Sequence, residues 1–555
     1  MFGVMIFCWL CVSFYFSPRI IALLVGPENI FAKFAIILFA LLLNLFWFYG
    51  FYHLIIILFS YRGNTQVDLD NQETLFEVKN PRVALLYATC DDFIEKAVLS
   101  CIEQDYSNFS VFILDDGDNY EYRKEIDAFA AEYNDKVNVI RRDLKKGYKA
   151  GNINNCLKQI SGFKLFSISD ADTILPGDYI SKLLSYFNNE KVAFVQARQE
   201  LNPEQDSKFA QDLGYQIGLH YDRYLKTKNA YGFVLFYGHG ALMRTDVWQK
   251  IGGFPEIATE DLAYTLKIRE KGYQGIYAEE VTCLEDYPAA YKQYRKRNEK
   301  WIRGTAECLL KYFPGFARCS HIQWVEKFDV LASACSLLLA FPFFLLLLLV
   351  GIILPIYFSH FRFQGPMFDM PVAYDGSMVN LVLGVSGNLF WTWDFFLLLL
   401  IASISPVLPA ITSFLTNPEK KIRYIIMYTF MFYAMQVASS LSLIAYLITR
   451  TASFPITGRD EKPLEIVRGK SFMQFLKSPI SNRHEIVMME GIFAVIFFVT
   501  CLASDNIWFL TFSSGLVLSI LLFRFSFNNK IIKHLVAVSW LILMLISAFI
   551  AKTLQ

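Results

Sequence analysis

Charge is missing from long stretches at both ends of this 555-residue chain and concentrated in its middle, and that segregation limits the possible folds more than any single motif does. Residues 34–60 contain no Asp, Glu, Lys or Arg, and neither do 330–359, 395–418, 424–449, 491–504, 506–523 and 535–551. A helix needs about 20 apolar residues to cross a bilayer, and several of these runs have the length. Hydrophobic residues make up 54% of the chain and Phe alone occurs 52 times, more apolar surface than a soluble domain uses. The expected layout is membrane helices over residues 1–62, a polar domain over 80–320, and transmembrane or interfacial helices over 325–555. Met1–Pro18 is uncharged but lacks the basic start and small-residue cleavage site of a signal peptide, so it is expected to belong to a retained first span.

Positive charge sets the expected orientation. Arg62, the group Lys420, Lys421 and Arg423, and the group Arg524, Lys530 and Lys533 all flank apolar runs and are assigned to the cytosolic side. The middle domain is then cytosolic. Residues 424–449 either cross the bilayer or lie at its interface. A net charge of +1 supplies no basic stripe, which excludes nucleic acid as a partner. The 10 Cys form no Cys/His cluster with zinc-ligand spacing, and a cytosolic domain needs no disulfide framework. No GxxxxGK[ST] segment is present, so an ATP-driven pump would lack its phosphate cradle.

Within the middle domain, short apolar segments at 82–89 (RVALLYAT), 109–114 (FSVFIL), 137–141, 163–169 (FKLFSIS) and 192–197 (VAFVQA) alternate with helical sequence. This is the pattern of an α/β domain with a largely parallel sheet covered on both faces. In such sheets ligands bind beyond the carboxyl ends of the strands. Two acidic clusters stand there: Asp115-Asp116-Gly117 after the second strand and Asp170-Ala171-Asp172 after the fourth. Carboxylates spaced i, i+2 at a strand end suit a hard divalent cation, which takes one or two carboxylates plus substrate phosphates. Taken alone, each cluster also reads as an ordinary turn or a helix N-cap.

Further pieces follow in a fixed order. Lys149-Ala150-Gly151-Asn152 opens a helix. Gly238-His239-Gly240, Thr259-Glu260-Asp261 and Arg297-Asn298-Glu299-Lys300-Trp301 come after it. The ordered set resembles glycosyltransferase family 2, and within it the membrane-integrated polysaccharide synthases related to bacterial cellulose synthase and hyaluronan synthase. The resemblance implies a GT-A-like, Rossmann-like cytosolic catalytic domain inserted between N- and C-terminal transmembrane helices. It also implies roles for individual residues. Asp91, Asp116, Lys149 and Asp170 would bind the nucleotide-sugar donor, expected to be a UDP-sugar. Asp170 and Asp172 form a DxD motif for Mg²⁺ or Mn²⁺. Asp261, with Glu260 beside it, would be the general base. Trp301, Arg297, Lys300 and His239 would meet the acceptor. Phe454, Thr457 and Arg459, in Phe454-Pro455-Ile456-Thr457-Gly458-Arg459, resemble a gating loop expected at 452–462. The family's Gln and Arg of Q(Q/R)xRW are replaced by Arg297 and Lys300, which loses the planar fork of Arg at the second position. Asp261 also suits the first turn of a helix, Trp301 suits core packing or an interfacial anchor, and the gating-like segment suits an ordinary turn.

The chemistry agrees with these residue types. An acceptor hydroxyl loses its proton to a carboxylate as it attacks the anomeric carbon, and a metal ion assists departure of the diphosphate. Three functions are compatible. The first is inverting extension of a polysaccharide coupled to membrane passage, where an accessory export subunit is an open option. The second is single transfer to a lipid-linked or membrane acceptor. The third is an inactive membrane scaffold. The expected location is a bacterial inner membrane, in contact with its lipid.

Overall fold

The computed structural model describes residues 1–25, 29–61, 80–187, 189–231, 233–357, 431–452, 472–504 and 508–524, with isolated positions between 394 and 408. Two helices open the chain, Phe2–Val25 (α1) and Ile30–Ser60 (α2). Both are long and apolar enough to cross a membrane. Cys8 and Cys11 stand one turn apart on α1, both as free thiols.

The sheet follows. Strands Val83–Thr89 (β1), Phe109–Asp115 (β2), Val137–Arg141 (β3) and Leu165–Asp170 (β4) alternate with helices Glu95–Ile102 (α3), Tyr120–Glu132 (α4) and Tyr148–Gln159 (α5). Tyr179–Leu184 (α6) leads to Val192–Leu201 (β5), Lys208–Leu219 (α7), a π-helical turn at His220–Leu225 and Lys226–Tyr231 (α8). Next come Ala241–Arg244 (β6), Thr245–Lys250 (α9), Glu260–Glu270 (α10) and Gln274–Glu285 (β7). The seven strands lie in the order β3-β2-β1-β4-β6-β5-β7. β6 is antiparallel to both of its neighbours, and the other pairings are parallel.

Burial on both faces explains the sequence of the central strands. β1 is VALLYAT with every residue from Val83 to Tyr87 buried, the unbroken apolar run of a parallel strand covered on both sides. One face packs Val83, Leu85 and Tyr87 against Val98, Ile113 and Ile180. The other packs Ala84 and Leu86 against Ile153, Phe166 and Phe254. The sequence did not show β6 and β7. β6 has only four residues, and β7 carries Glu279 and Glu280 beside a register shift at Ala197/Arg198 that hides its alternation.

After the sheet, the long helix Tyr291–Lys311 (α11) and the short Phe313–Arg318 (α12) lead to Trp324–Ser336 (α13), Ala340–Leu348 (α14), a second π-helical turn and Leu354–Tyr357 (α15). Residues 330–359 read in the sequence as one uninterrupted run. In the structure, Trp324–Ser336 and Ala340–Ile353 are bent by 65° at a short break. Pro342 falls in the first turn of α14, where a missing N–H is tolerated, so the chain restarts a helix there instead of continuing one. The remaining described helices are Gln436–Thr449 (α16), Phe472–Lys477 (α17), His484–Ser504 (α18) and Trp508–Arg524 (α19). α16 has 14 residues and follows helical residues 431–434, while residues 424–430 lie outside the described residues.

The sheet domain is fastened to α2 by polar contacts. Lys228 pairs with Asp329 and donates to Tyr52 Oη at 2.8 Å, and Tyr52 Oη donates to Asp329 Oδ1 at 3.0 Å. Elsewhere the backbone of β7 lies directly on a ring. A Cβ on Gly275 would stand 2.1 Å from Phe194 Cζ. Gly275→Ala is expected to cost about 1–3 kcal/mol through overpacking, read as a lower thermal midpoint of the detergent-solubilised protein. An unchanged midpoint would mean that the two strands slide apart freely.

Candidate active site

The parallel strands all deliver their carboxyl ends to one edge of the sheet, and antiparallel β6 starts at that same edge. The topology therefore collects residues that are far apart in sequence. Asp91 follows β1, Asp115 and Asp116 follow or end β2, Asp170 ends β4, His239 precedes β6 and Glu285 ends β7.

The first part of this edge is a braced turn. Asp91 has φ 59, the left-handed region that non-glycine residues rarely adopt, and its Oδ1 accepts from Asn119 N at 2.8 Å. Gly117 passes so close that a Cβ there would be 2.2 Å from Asp91 Oδ1. Asp115 is buried, receiving Arg141 Nε at 2.6 Å and Gly117 N at 2.8 Å. The Asp116 carboxylate is held by Arg142 through two bonds of 2.8 and 2.6 Å, and the same guanidinium donates to Lys146 O and Tyr148 O. Arg142, which the sequence did not single out, thus ties the Asp116 turn to the start of α5.

Lys149 sits in the first turn of α5. It pairs with Asp170 and donates to Gly238 O at 2.9 Å. Burial opposes the charges of this pair, but mutual attraction outweighs it. Lys149 is held above its ordinary range, and Asp170, with help from His239, is held below the usual carboxylate range. Asp172 has the opposite fate. Burial and the nearby Glu285 and Asp170 push its pKa up to about 7, with His239 pulling the other way. His239 donates to Glu285 at 2.9 Å through Nε2 and meets Thr173 Oγ1 at 3.2 Å through Nδ1. Burial disfavours its charge, yet Glu285 and Asp170 raise its pKa to about 9. The structure therefore places His239 beside the DxD carboxylates, and Glu285 is its partner. Glu285 escaped the sequence reading because β7 did.

Glu260 and Asp261 open α10, where the helix dipole favours acids. Burial raises both carboxyls above their ordinary range, and the charge of Asp261 raises Glu260 further. Asp261 Oδ1 accepts from Leu262 N at 2.8 Å, while Lys300 and Lys149 oppose the rise. Gly238, at φ +88, occupies the gap between these groups. A Cβ there would lie 3.6 Å from Asp261 Oδ2 and 3.9 Å from Lys149 Nζ.

α11 carries the last cluster. Burial lowers the pKa of Lys300 despite nearby Glu260. Trp301 is 36% exposed, and the Arg297 guanidinium lies 4.6 Å from the centre of its ring and 5.7 Å from that of Tyr287. One part of the Trp301 surface is therefore covered by Arg297 and another is open. Phe454, Thr457 and Arg459 lie outside the described residues.

The DxD edge suits a divalent cation. Asp172, Asp170, Glu285 and Asp286 crowd negative charge at this edge, offset for Asp170 by Lys149, His239 and Lys300 and for Asp172 by His239. Among the described residues no three His, Cys, Asp or Glu side chains converge as a cage. A cation here would take Asp172, with Asp170 beside it, and draw its other ligands from substrate phosphates and water, as Mg²⁺ usually does.

The raised pKa of Asp261 has a direction that can be checked. As a general base Asp261 would work ionised, so turnover would fall as pH drops through a value above the ordinary carboxylate range. Lys300→Met removes a positive charge that holds the Asp261 pKa down, so it should move this acid limb to higher pH in a pH–rate profile. A limb that stays in place would mean another group sets it.

Residues 81–304 match the family model described as "Glycosyltransferase like family 2". A probable glucomannan 4-beta-mannosyltransferase of Arabidopsis thaliana is 24% identical over 248 residues, which is 41% of this chain and 42% of the relative. A glucomannan 4-beta-mannosyltransferase of Cyamopsis tetragonoloba is 22% identical over 231 residues, 40% of this chain and 44% of the relative. The chain thus matches under half the length of these curated relatives. Among solved structures, a mannosyltransferase of Pyrobaculum calidifontis in complex with GDP-Man and Mn²⁺ aligns with a TM-score of 0.44 at 18% identity, covering 66% of this chain and 99% of that one.

Proposed function

Because residues 81–304 match the model of a family 2 type glycosyltransferase, we propose that the chain is a membrane-embedded enzyme that moves a hexose from a nucleoside-diphosphate sugar onto a polysaccharide. The observation that carries this reading is the approach of Asp261 and of Lys149, itself paired with Asp170, to the bare backbone of Gly238, with the charge of Lys300 acting on Asp261. A cationic side chain and a carboxylate within a few ångströms are what displacement of a diphosphate by a hydroxyl requires.

In this reading Asp91 and the Asp116–Arg142 pair frame the nucleotide, and Lys149 neutralises phosphate charge. A divalent cation, Mg²⁺ or Mn²⁺, bound by Asp172 with Asp170 beside it, supplies further charge stabilisation to the leaving diphosphate. Asp261 takes the proton of the acceptor hydroxyl. Burial raises the Asp261 pKa above the ordinary carboxylate range, which makes it a stronger base for that proton. Trp301 and Arg297 form the acceptor floor. A single displacement uses no protein nucleophile and inverts the anomeric centre. The boundaries 1–62, 80–320 and 325–555 belong to the same proposal, as do the cytosolic side for the sheet, a bacterial inner membrane as its setting and an export subunit as companion. A UDP-sugar is one donor class. The names of the relatives add mannosyl donors to it.

The test is nucleoside-diphosphate release and product length in membranes given Mg²⁺ or Mn²⁺ with each common UDP-sugar and with GDP-mannose. Asp261→Asn should lower release by about 10²–10⁴-fold, the usual range for a lost general base, and Asp172→Asn should weaken the dependence on the metal. A long product marks a polymerising enzyme and a single added sugar marks a transferase for a lipid-linked acceptor. Release from no donor, or release indifferent to Asp261→Asn, brings forward a scaffold.

A further inference from the structure

α11 has two opposite charged faces, and only one of them faces the candidate active site. Arg297, Lys300 and Trp301 lie on the site face. Gly304 lies there too, where a Cβ would stand 2.6 Å from Thr259 Cγ2 and 3.3 Å from Ala258 Cβ. α11 therefore presses directly on the residues that lead into Glu260 and Asp261. On the other face, Arg295, Glu299 and Arg303 follow at i, i+4 and i+8, and all three are buried to 1% exposure or less. Helical spacing puts these two sets about half a turn apart.

The buried face grips the C-terminal helices. Arg295 donates to Ser481 O at 2.7 Å, Glu490 Oε1 at 2.7 Å and Ser519 Oγ at 2.9 Å. Ser519 donates to Glu490 Oε2 at 2.8 Å. Glu299 accepts from Ile480 N at 3.0 Å and Ser481 N at 2.8 Å, and it pairs with Arg303 at 2.8 Å. Arg303 donates to Leu476 O at 2.9 Å and Ser478 O at 3.3 Å. The connection from α17 to α18 is thus held largely by side chains of α11, and one charged pair reaches into α18 and α19.

Apolar packing alone could hold α11 in place, and a buried ion pair is weak evidence for stability. These groups supply directional bonds, which apolar contacts do not. We propose that Arg295, Glu299, Arg303 and Glu490 are positioning residues that fix the rotation and height of α11, so that Lys300 and Trp301 meet the Glu260–Asp261 turn only while the C-terminal helices are in place. The proposal rests on the glycosyltransferase reading above. None of the four residues need touch substrate.

The test uses the full chain in membranes, with radiolabelled UDP- or GDP-hexose that the wild-type protein turns over. Two readouts are separated: label transferred to membrane-bound product, and free hexose from hydrolysis. A single Arg295→Met leaves Glu490 buried without its partner and is a poor probe for that reason. The double variant Arg295→Met/Glu490→Leu removes both charges, an exchange that buried pairs often tolerate. It should bind Mn²⁺–nucleoside diphosphate within about threefold of wild type while transfer falls at least tenfold relative to hydrolysis. Glu490→Asp, which keeps the charge but shortens the reach, should fall in between and serves if the double variant does not fold. Transfer and hydrolysis lost in parallel, or a transfer-to-hydrolysis ratio unchanged in whichever of these variants folds, would overturn the proposal. Amide hydrogen exchange tests it without turnover. The variants should exchange faster at 258–261 and 297–304, and unchanged exchange there would also overturn it. If wild type turns over no donor yet the exchange response appears, the enzymatic reading fails and the mechanical link stands.

Discussion

The Lys149–Asp170 ion pair is the contact on which the rest of the candidate site depends. It joins the first turn of α5 to the end of β4, and Lys149 also reaches the carbonyl of Gly238 before β6. Three segments separated by long stretches of sequence are locked by one side chain. With both partners removed from water, attraction between them is strong enough to keep both charged against burial. Asp172 has the opposite balance: burial and the charges of Glu285 and Asp170 raise its pKa to about 7 against the pull of His239. Excess negative charge at a strand end is what a divalent cation would offset.

His239 and Glu285 close the same edge from the other side. Their ion pair sits against Thr173, one residue beyond the DxD, and Gln196 anchors the main chain of His239 and Gly240. Gly238 and Gly240 both have positive φ, so the chain through His239 can turn its carbonyls inward where a side-chain-bearing residue would resist.

Much of this was legible in the sequence, for identifiable physical reasons. The strands β1, β2, β4 and the start of β5 are central and buried on both faces, so they appear as short apolar runs. The rule that ligands bind at carboxyl ends then points to Asp116, Asp170 and Asp172. Lys149, Asp261 and Trp301 were legible only through their order and resemblance, because a lone Lys at a helix start or an acid in a first turn has an ordinary structural reading. Arg142 and Glu285 were not legible. Arg142 belongs to a basic loop with no motif, and Glu285 ends a strand whose alternation is broken by a register shift. The buried charges of α11 were hidden for a different cause. Arg295 and Arg303 stand outside the motif that contains Glu299, and only the packing of α17, α18 and α19 shows that all three charges are inside.

The central claim is that the DxD edge binds a metal–diphosphate complex facing Asp261. The most direct measurement is an experimental structure of the protein with Mn²⁺ and a nucleoside diphosphate, with the metal located by its anomalous scattering. The account predicts Mn²⁺ at Asp172 between the carboxylate and the phosphates, with Lys149 on the diphosphate and Asp261 facing the open side. A metal elsewhere, or a nucleotide bound away from β2 and β4, would contradict it.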